Sequence, residues 1–125
     1  MNVEDRTTGQ RVILVAEDDE QVRNLIQTVL SREGYSILSA PNGEEALLLS
    51  REYAGPIELL LTDVKMPKMD GLQLRDHLLR ERPEIKILVM SGRPSGQLPA
   101  SDKTVNFLRK PFLAKTLRSA VKSLL

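Results

Sequence analysis

Five side chains able to bind ions or carry out polar chemistry follow the aliphatic stretches of this sequence. Three are carboxylates, one is a hydroxyl and one is a primary amine; in chain order they are Glu17, Asp18, Asp63, Ser91 and Lys110. Polar residues are common after an apolar stretch, so each one alone is weak evidence for a site. If the three carboxylates meet, each pair about 4 Å apart costs about 4 kcal/mol at an effective dielectric constant of ~20. Either one carboxylate is then protonated, or cations lie between them.

A divalent cation and an ammonium group would balance such a cluster. Lys110 supplies one positive charge, and Mg²⁺ suits the oxygen ligands because it prefers one or two carboxylates together with water and phosphate oxygens. The chain has no Cys, and its single His lies away from these stretches, which disfavours zinc. Carboxylates, Mg²⁺, a lysine and a hydroxyl together suit phosphoryl transfer, in which an Asp can act as nucleophile and form an acyl phosphate.

The elements that must position these side chains follow from the hydrophobic pattern. Aliphatic runs predict strands at 12–16, 35–40, 59–61, 85–90 and 105–108. Helical patterns lie between most of them, and strands that are aliphatic on both faces favour a parallel sheet covered by helices on both sides. The carboxyl ends of parallel strands meet at one edge of the sheet, where ligands bind. The fold would therefore bring the five side chains together.

Helices are predicted at about 20–33, from 43, from 71 to about 82, and from about 112. Asp70 with Gln73, and Asn42 with Glu45, have the spacing of capping boxes. Apolar residues at helical spacing predict one buried stripe on the first helix and one on the last: Val22, Leu25, Ile26, Val29 and Leu30, then Leu113, Leu117, Val121 and Leu124. The span 93–103 contains Pro94, Gly96 and Pro99, so we expect at most one short turn there.

Composition excludes several classes of protein. The 125 residues suit one domain, and 18 Lys and Arg balance 17 Asp and Glu without a basic block, which argues against direct nucleic-acid binding. No apolar run approaches the ~20 residues of a membrane span. Residues 1–10 are polar and lack the apolar core of a signal peptide, so we expect a disordered leader before a domain at 11–125, in the cytoplasm.

Over residues 11–125 the chain resembles the receiver domain of two-component response regulators. The segments that carry the resemblance are ILVAEDD at 13–19, TDVKMPKMDG at 62–71, MSG at 90–92 and KPF at 110–112. Each segment is weak alone, but their order and separations are highly specific. The resemblance implies a flavodoxin-like, doubly wound α/β fold with a five-stranded parallel sheet of order 2-1-3-4-5.

The resemblance also implies roles for the acidic residues and the lysine. Asp63 would be the phosphoacceptor, taking a phosphoryl group from a phosphohistidine on a partner histidine kinase or phosphotransfer domain. Mg²⁺ would be bound by Asp63 and Asp18 directly, by Glu17 through water, and by Lys65 through its backbone carbonyl. Lys110 would pair with the phosphoryl oxygens.

Further residues match the family's switch positions. Ser91 corresponds to the hydroxyl that turns toward the phosphoryl group, and Phe107 to the aromatic residue whose position reports the state, although core packing explains Phe107 equally well. Pro111 would follow a cis peptide bond, since such bonds are essentially confined to proline. Asp19 is expected to cap the first helix.

The chain departs from the family in two places. Between Ser91 and Val105 the fourth helix of typical members would be short or missing, as in receivers that belong to hybrid sensor histidine kinases. Lys65 and Arg93 lie two residues after Asp63 and Ser91, at positions that influence dephosphorylation. We predict a changed acyl-phosphate lifetime, in either direction; an unaltered decay rate in Arg93→Ala would contradict it.

Three other functions remain open from the sequence. A small Mg²⁺-dependent phosphatase could use Asp63 as nucleophile, although the chain has no insertion to form a substrate pocket. A flavodoxin-like electron carrier would need a phosphate-binding loop and flanking aromatic residues, which the sequence lacks. A receiver-shaped module that is never phosphorylated would not need the complete acidic set. The output partner and the oligomeric state stay open.

Overall fold

The computed structural model describes residues 10–92 and 105–125, and within these ranges the chain forms five strands and four helices. None of these helices has the length and apolar character needed to cross a membrane. In chain order the elements are β1 (Val12–Ala16), α1 (Glu20–Arg32), β2 (Ser36–Ala40), α2 (Gly43–Glu52), β3 (Leu59–Asp63), α3 (Gly71–Glu81), β4 (Lys86–Ser91), β5 (Asn106–Arg109) and α4 (Ala114–Leu124).

The five strands form one parallel sheet in the order β2-β1-β3-β4-β5. The predicted doubly wound α/β class and the 2-1-3-4-5 order are therefore confirmed. The predicted short or missing helix between β4 and β5 falls on residues 93–104, which lie outside the described residues. The predicted leader at 1–10 also lies outside them, except for Gln10.

Two apolar clusters cover the two faces of the sheet, and neighbouring residues of β1 alternate between them. Leu14 and Ala16 belong to the cluster that includes residues of α2 and α3, whereas Ile13 and Val15 belong to the cluster that includes residues of α1 and α4. All four side chains are completely buried. A strand covered on both faces has to be aliphatic throughout, which explains the unbroken apolar run in the sequence.

Side chains cap three of the four described helices. Asp19 caps α1 by accepting from two backbone N–H groups of its first turn, and Asp70 forms a complete capping box with Gln73 at the start of α3. Asn42 caps α2 by accepting from the N–H of Glu45. The prediction of a complete capping box there is wrong. The Glu45 carboxylate accepts from the side-chain amide of Asn42 at 3.0 Å, and not from the backbone N–H of Asn42.

Two leucines assigned to buried stripes are exposed instead. Leu113 is 73% exposed because it precedes α4 in an extended conformation and so does not share the helical stripe of that element. Leu25 is 46% exposed, although the next residue of α1, Ile26, is fully buried. The strand ends also differ by one or two residues from the prediction, since β3 continues to Asp63 and β4 to Ser91.

Arg82, which directly follows α3, holds the end of α2. Its guanidinium donates to Ser50 Oγ and to the carbonyl oxygens of Ser50, Tyr53 and Gly55 at 2.8–2.9 Å. We expect Arg82→Met to lower the free energy of unfolding by about 2–4 kcal/mol, because the change removes these hydrogen bonds but keeps an apolar stem. Urea unfolding measures the effect. The exposed Arg80→Met should change stability by less than ~0.5 kcal/mol, and equal losses in both variants would contradict the prediction.

Candidate functional site: an acidic cluster at the strand ends

The acidic turn after β1 buries Glu17 and exposes Asp18 and Asp19. Glu17 is 0% exposed, its Oε2 accepts from the backbone N–H of Asp19 at 3.1 Å, and its own N–H donates to Ala40 O at the end of β2. From α1, Arg23 Nη1 donates to the carbonyl oxygen of Glu17 at 2.8 Å, a contact that sequence reasoning missed. These bonds fix the turn and leave the Asp18 carboxylate at the surface.

Lys110 joins the acidic turn to Asp63. Its Nζ donates to Glu17 Oε1 at 2.5 Å and to Asp63 Oδ2 at 2.7 Å. Asp63 is the last residue of β3, and Lys110 directly follows β5. Carboxylate oxygens of Glu17, Asp18 and Asp63 lie within 4.8 Å of one another. The structure therefore places these four predicted residues in one cluster, although they come from the ends of three strands.

Burial and hydrogen bonding set the charge state of this cluster. Burial raises the pKa of the Glu17 carboxyl from 4.5 to about 7, even though hydrogen bonds from Lys110 and from the Asp19 N–H act to lower it. Burial acts to lower the pKa of Lys110, but hydrogen bonds to Asp63 and Glu17 outweigh it and the pKa lies above its usual 10.5. At neutral pH Lys110 is therefore charged, while Glu17 titrates.

Ser91 lies beside Lys110 at the same edge of the sheet. It is the last residue of β4 and is 6% exposed, and its carbonyl oxygen accepts from the backbone N–H of Lys110 at 2.8 Å. The Lys110–Pro111 peptide bond is cis. The predicted hydroxyl and the predicted amine thus belong to adjacent strand ends.

Two other predicted residues lie on the surface. Phe107, in β5, is 41% exposed, and Lys65 is exposed in the loop that follows β3. Arg93 lies outside the described residues. The effect of Lys65 and Arg93 on the lifetime of an acyl phosphate stays a prediction.

Thr62 and Gly71 enclose the backbone carbonyl of Asp63. Thr62 is completely buried, and its Oγ1 donates to Asp63 O at 2.9 Å. A Cβ on Gly71 would lie 2.1 Å from the same oxygen, and the Gly71 N–H donates to Val64 O at 2.8 Å. Sequence reasoning gave neither residue this role. The available signal was a hydroxyl at the end of an otherwise aliphatic strand, directly before the carboxylate.

The donor set of the cluster fits Mg²⁺. All three candidate ligand side chains are carboxylates, and their oxygens are close enough to share one ion. The raised pKa of the buried Glu17 shows that its ionised form is poorly compensated by Lys110 alone. A divalent cation would provide the missing positive charge.

Comparison with known proteins identifies the family. The family model for the response regulator receiver domain matches residues 13–122. This chain therefore belongs to the receiver domains of two-component systems.

Several relatives extend the match over nearly the whole chain. The chain is 36% identical over 122 residues to the sensor kinase CckA of Brucella abortus, which covers 94% of this chain but only 13% of CckA. It is 34% identical over 116 residues to the response regulator receiver protein CpdR of the same organism, covering 90% of this chain and 95% of CpdR. The length of this chain is thus a small part of one relative and nearly all of the other.

Two solved structures show the same fold. The receiver domain of the hybrid histidine kinase CckA is 36% identical, with a TM-score of 0.74, and the match covers 91% of this chain and 98% of that one. The response regulator TrrA of Thermotoga maritima, solved in complex with Mg²⁺ and BeF, is 30% identical, with a TM-score of 0.78 and coverage of 93% and 100%.

Proposed function

We propose that this receiver domain takes a phosphoryl group from a phosphohistidine onto Asp63 and switches conformation as a result. The observation that supports this most is the 2.7 Å hydrogen bond from Lys110 to Asp63 inside a group of three carboxylates. An oxygen of Asp63 bonds to phosphorus, and the N–P bond of the phosphohistidine breaks. The electron pair stays on the imidazole nitrogen, which takes up a proton, and Asp63 becomes an acyl phosphate.

Mg²⁺ would be held by Glu17, Asp18, Asp63 and the backbone carbonyl of Lys65. When bound, it supplies positive charge that stabilises the transferring phosphoryl group. Lys110 would supply a second positive charge. Its ammonium group donates to one oxygen of Asp63 and would pair with the phosphoryl oxygens after transfer. The complex of the related TrrA with Mg²⁺ and BeF supports this assignment.

Phosphorylation would shift an equilibrium between two conformations that exist beforehand. Ser91 ends β4 next to Lys110, and its hydroxyl would turn toward a phosphoryl group on Asp63. Phe107 is the partly exposed aromatic residue of the adjacent β5, and its ring would change position between the two states.

An apolar surface beside Lys110 suits the protein that donates the phosphoryl group. An open depression of about 410 Å³ there is lined by Val22, Leu25, Gly92, Lys110, Pro111 and Phe112. The donor imidazole has to come within bonding distance of Asp63, so the donor protein must contact the surface around Lys110. Exposed apolar residues there favour a protein partner. We assign this surface to a histidine kinase or phosphotransfer domain.

Phosphorylation of isolated protein tests the central claim. Incubation with Mg²⁺ and acetyl phosphate or phosphoramidate, followed by intact-mass measurement, should add one phosphoryl group to the wild type and none to Asp63→Asn. Removal of Mg²⁺ by EDTA should prevent the reaction in the wild type. Equal modification of both proteins would contradict the assignment of Asp63, and sustained turnover of a small phosphomonoester would favour the phosphatase alternative.

Leu25→Asp is expected to slow phosphotransfer from a phosphorylated histidine kinase at least tenfold while leaving the reaction with acetyl phosphate unchanged. A charge on this exposed leucine disrupts an apolar protein interface, whereas a small donor such as acetyl phosphate needs no such interface. Leu48→Asp is the matched control, because Leu48 is 55% exposed on α2 and does not line the depression. Equal phosphotransfer rates in the two variants would contradict the proposed docking surface.

A narrower alternative is that the chain corresponds to the receiver segment of a hybrid sensor histidine kinase. The observation that favours it is the similarity to CckA, of which an equivalent stretch makes up 13%. CpdR, to which the chain is 34% identical, is a response regulator receiver protein, and the proposal based on it is a receiver that acts through a separate partner. One experiment separates these two alternatives. Phosphotransfer within a full-length kinase that contains this chain is compared with transfer from a kinase that lacks it to the separate chain.

A further inference from the structure

We infer that Thr62 is a positioning residue for Asp63, because its hydroxyl fixes the peptide group that carries the phosphoacceptor carboxylate. This inference rests on the proposed function of Asp63. It concerns a hydrogen bond from Thr62 Oγ1 to Asp63 O at 2.9 Å, made by a side chain that is completely buried.

The bond lies where β1 stops pairing with β3, although β4 still pairs with it. The described pairing of β1 with β3 ends at Ala16 and Thr62. Beyond that point β1 turns away, and the N–H of Glu17 donates to Ala40 O of β2 instead. The carbonyl of Asp63 therefore lies past the end of the β1–β3 ladder, and the Thr62 hydroxyl provides a donor in place of a neighbouring strand.

The start of α3 packs against the same peptide group and against the Thr62 side chain, since a Cβ on Gly71 would also lie 3.2 Å from Thr62 Cγ2. Gly71 packs so closely that a Cβ would lie 2.1 Å from Asp63 O, and its N–H donates to Val64 O at 2.8 Å. The Thr62 hydrogen bond to Asp63 O, the close packing of Gly71 against that oxygen and the Gly71 hydrogen bond to Val64 O together leave the Asp63–Val64 peptide little freedom to rotate. The direction of the Asp63 carboxylate toward Lys110 is set by this peptide.

A hydroxyl is an unexpected choice at this position on packing grounds alone. Valine has nearly the same shape as threonine, and it suits a buried central strand that begins Leu59-Leu60-Leu61 better. Burying a hydroxyl is unfavourable unless it forms a hydrogen bond. The described hydrogen bond of Thr62 goes to Asp63, so the polar group serves the phosphoacceptor.

Two substitutions separate the hydroxyl from the shape of the side chain. Thr62→Val keeps the shape and removes the donor, and Thr62→Ser keeps the donor. With Mg²⁺ and saturating acetyl phosphate we expect acyl phosphate to form roughly tenfold more slowly in Thr62→Val, since a displacement of 1 Å can cost about 100-fold. The rate in Thr62→Ser should be within about twofold of the wild type. Titration calorimetry with Mg²⁺ alone should show several-fold weaker binding in Thr62→Val only.

Val121→Ala is the control for a loss of stability alone, because Val121 is completely buried on α4, in the apolar cluster on the opposite face of the sheet from α3. Its phosphorylation rate, measured while it is fully folded, should equal that of the wild type. A Thr62→Val rate within twofold of the wild type, or an equal loss in Thr62→Ser, would overturn the role of Thr62 and leave the proposed function standing. A wild type that forms no acyl phosphate would overturn both.

Discussion

Gly71→Ala is expected to lose most of its phosphorylation and about 2–4 kcal/mol of its free energy of unfolding. The added Cβ would lie 2.1 Å from Asp63 O and 3.0 Å from the carbonyl carbon of the same residue. Both atoms are backbone, and Asp63 is still paired with Met90 of β4, so the clash is relieved only by moving the strand end or the start of α3. Either movement displaces the Asp63 carboxylate relative to Lys110. The phosphorylation rate should fall by more than about tenfold.

Gly92→Ala is the matched control. Its Cβ would meet Lys110 Cβ at 3.9 Å, an ordinary van der Waals contact, although Gly92 also lies beside the site. We expect its stability to change by less than ~1 kcal/mol. Urea unfolding gives the two stabilities, and intact mass gives the rate of acyl-phosphate formation. Wild-type stability and rate in Gly71→Ala would show that the contact with Asp63 is absent in solution.

The sheet was predictable because its signals are local. The aliphatic run at Leu59–Leu61 and the alternation of strands with helices follow directly from residue type, and they were enough to predict a parallel sheet with Asp63 and Lys110 at one edge. The strand order came instead from the resemblance to a known family. The caps at Asp19 and Asp70 were predictable for the same local reason, since an N-cap bond spans only two or three residues.

The acidic turn shows why the rest of the site was not. Glu17, Asp18 and Asp19 are consecutive acids, and pattern alone does not say which of them is buried. That choice depends on contacts distant in sequence, namely the bond from the Glu17 N–H to Ala40 O and the reach of Lys110 across 93 residues to Glu17. The bonds from Arg82 to the end of α2 are equally non-local, since they join residues 27–32 positions apart.

Leu113 illustrates a different limit. Its spacing from Leu117 fits a helical stripe, but the helix begins one residue later, at Ala114. Helix ends depend on capping and on the chain's approach, which periodicity does not report. The result is an exposed leucine where the periodicity predicted a buried one.

Raising the pH from 4.5 to 8 is expected to reduce the stability of the metal-free wild type relative to Glu17→Gln by about 3 kcal/mol. The pKa of Glu17 is about 7 in the folded protein, and we take the ordinary glutamate value of 4.5 for the unfolded chain. Below pH 4.5 the carboxyl is protonated in both the folded and the unfolded chain. Between pH 4.5 and 7 the unfolded chain loses the proton first, so stability is lost as the pH rises through this window. Each pKa unit corresponds to 1.36 kcal/mol.

The comparison with Glu17→Gln isolates this carboxyl, because other groups titrate in both proteins and largely cancel in the difference. Urea unfolding in EDTA at intervals between pH 4.5 and 8 measures it. Glu52→Gln, at an exposed position of α2, should give a curve parallel to that of the wild type. Parallel curves for Glu17→Gln would show that Glu17 is not buried as an acid of raised pKa.

Mg²⁺ should reverse part of this loss at pH 8. An ion that binds only the folded state raises the free energy of unfolding. Well above the dissociation constant, this gain grows with the logarithm of the ratio of ion concentration to dissociation constant. In the wild type the ion would also relieve the repulsion among Glu17, Asp18 and Asp63, whose oxygens lie within 4.8 Å of one another. Glu17→Gln has one charge fewer to relieve, so its gain from Mg²⁺ at pH 8 should be smaller than that of the wild type. An equal gain in both proteins would mean that Glu17 takes no part in holding the ion.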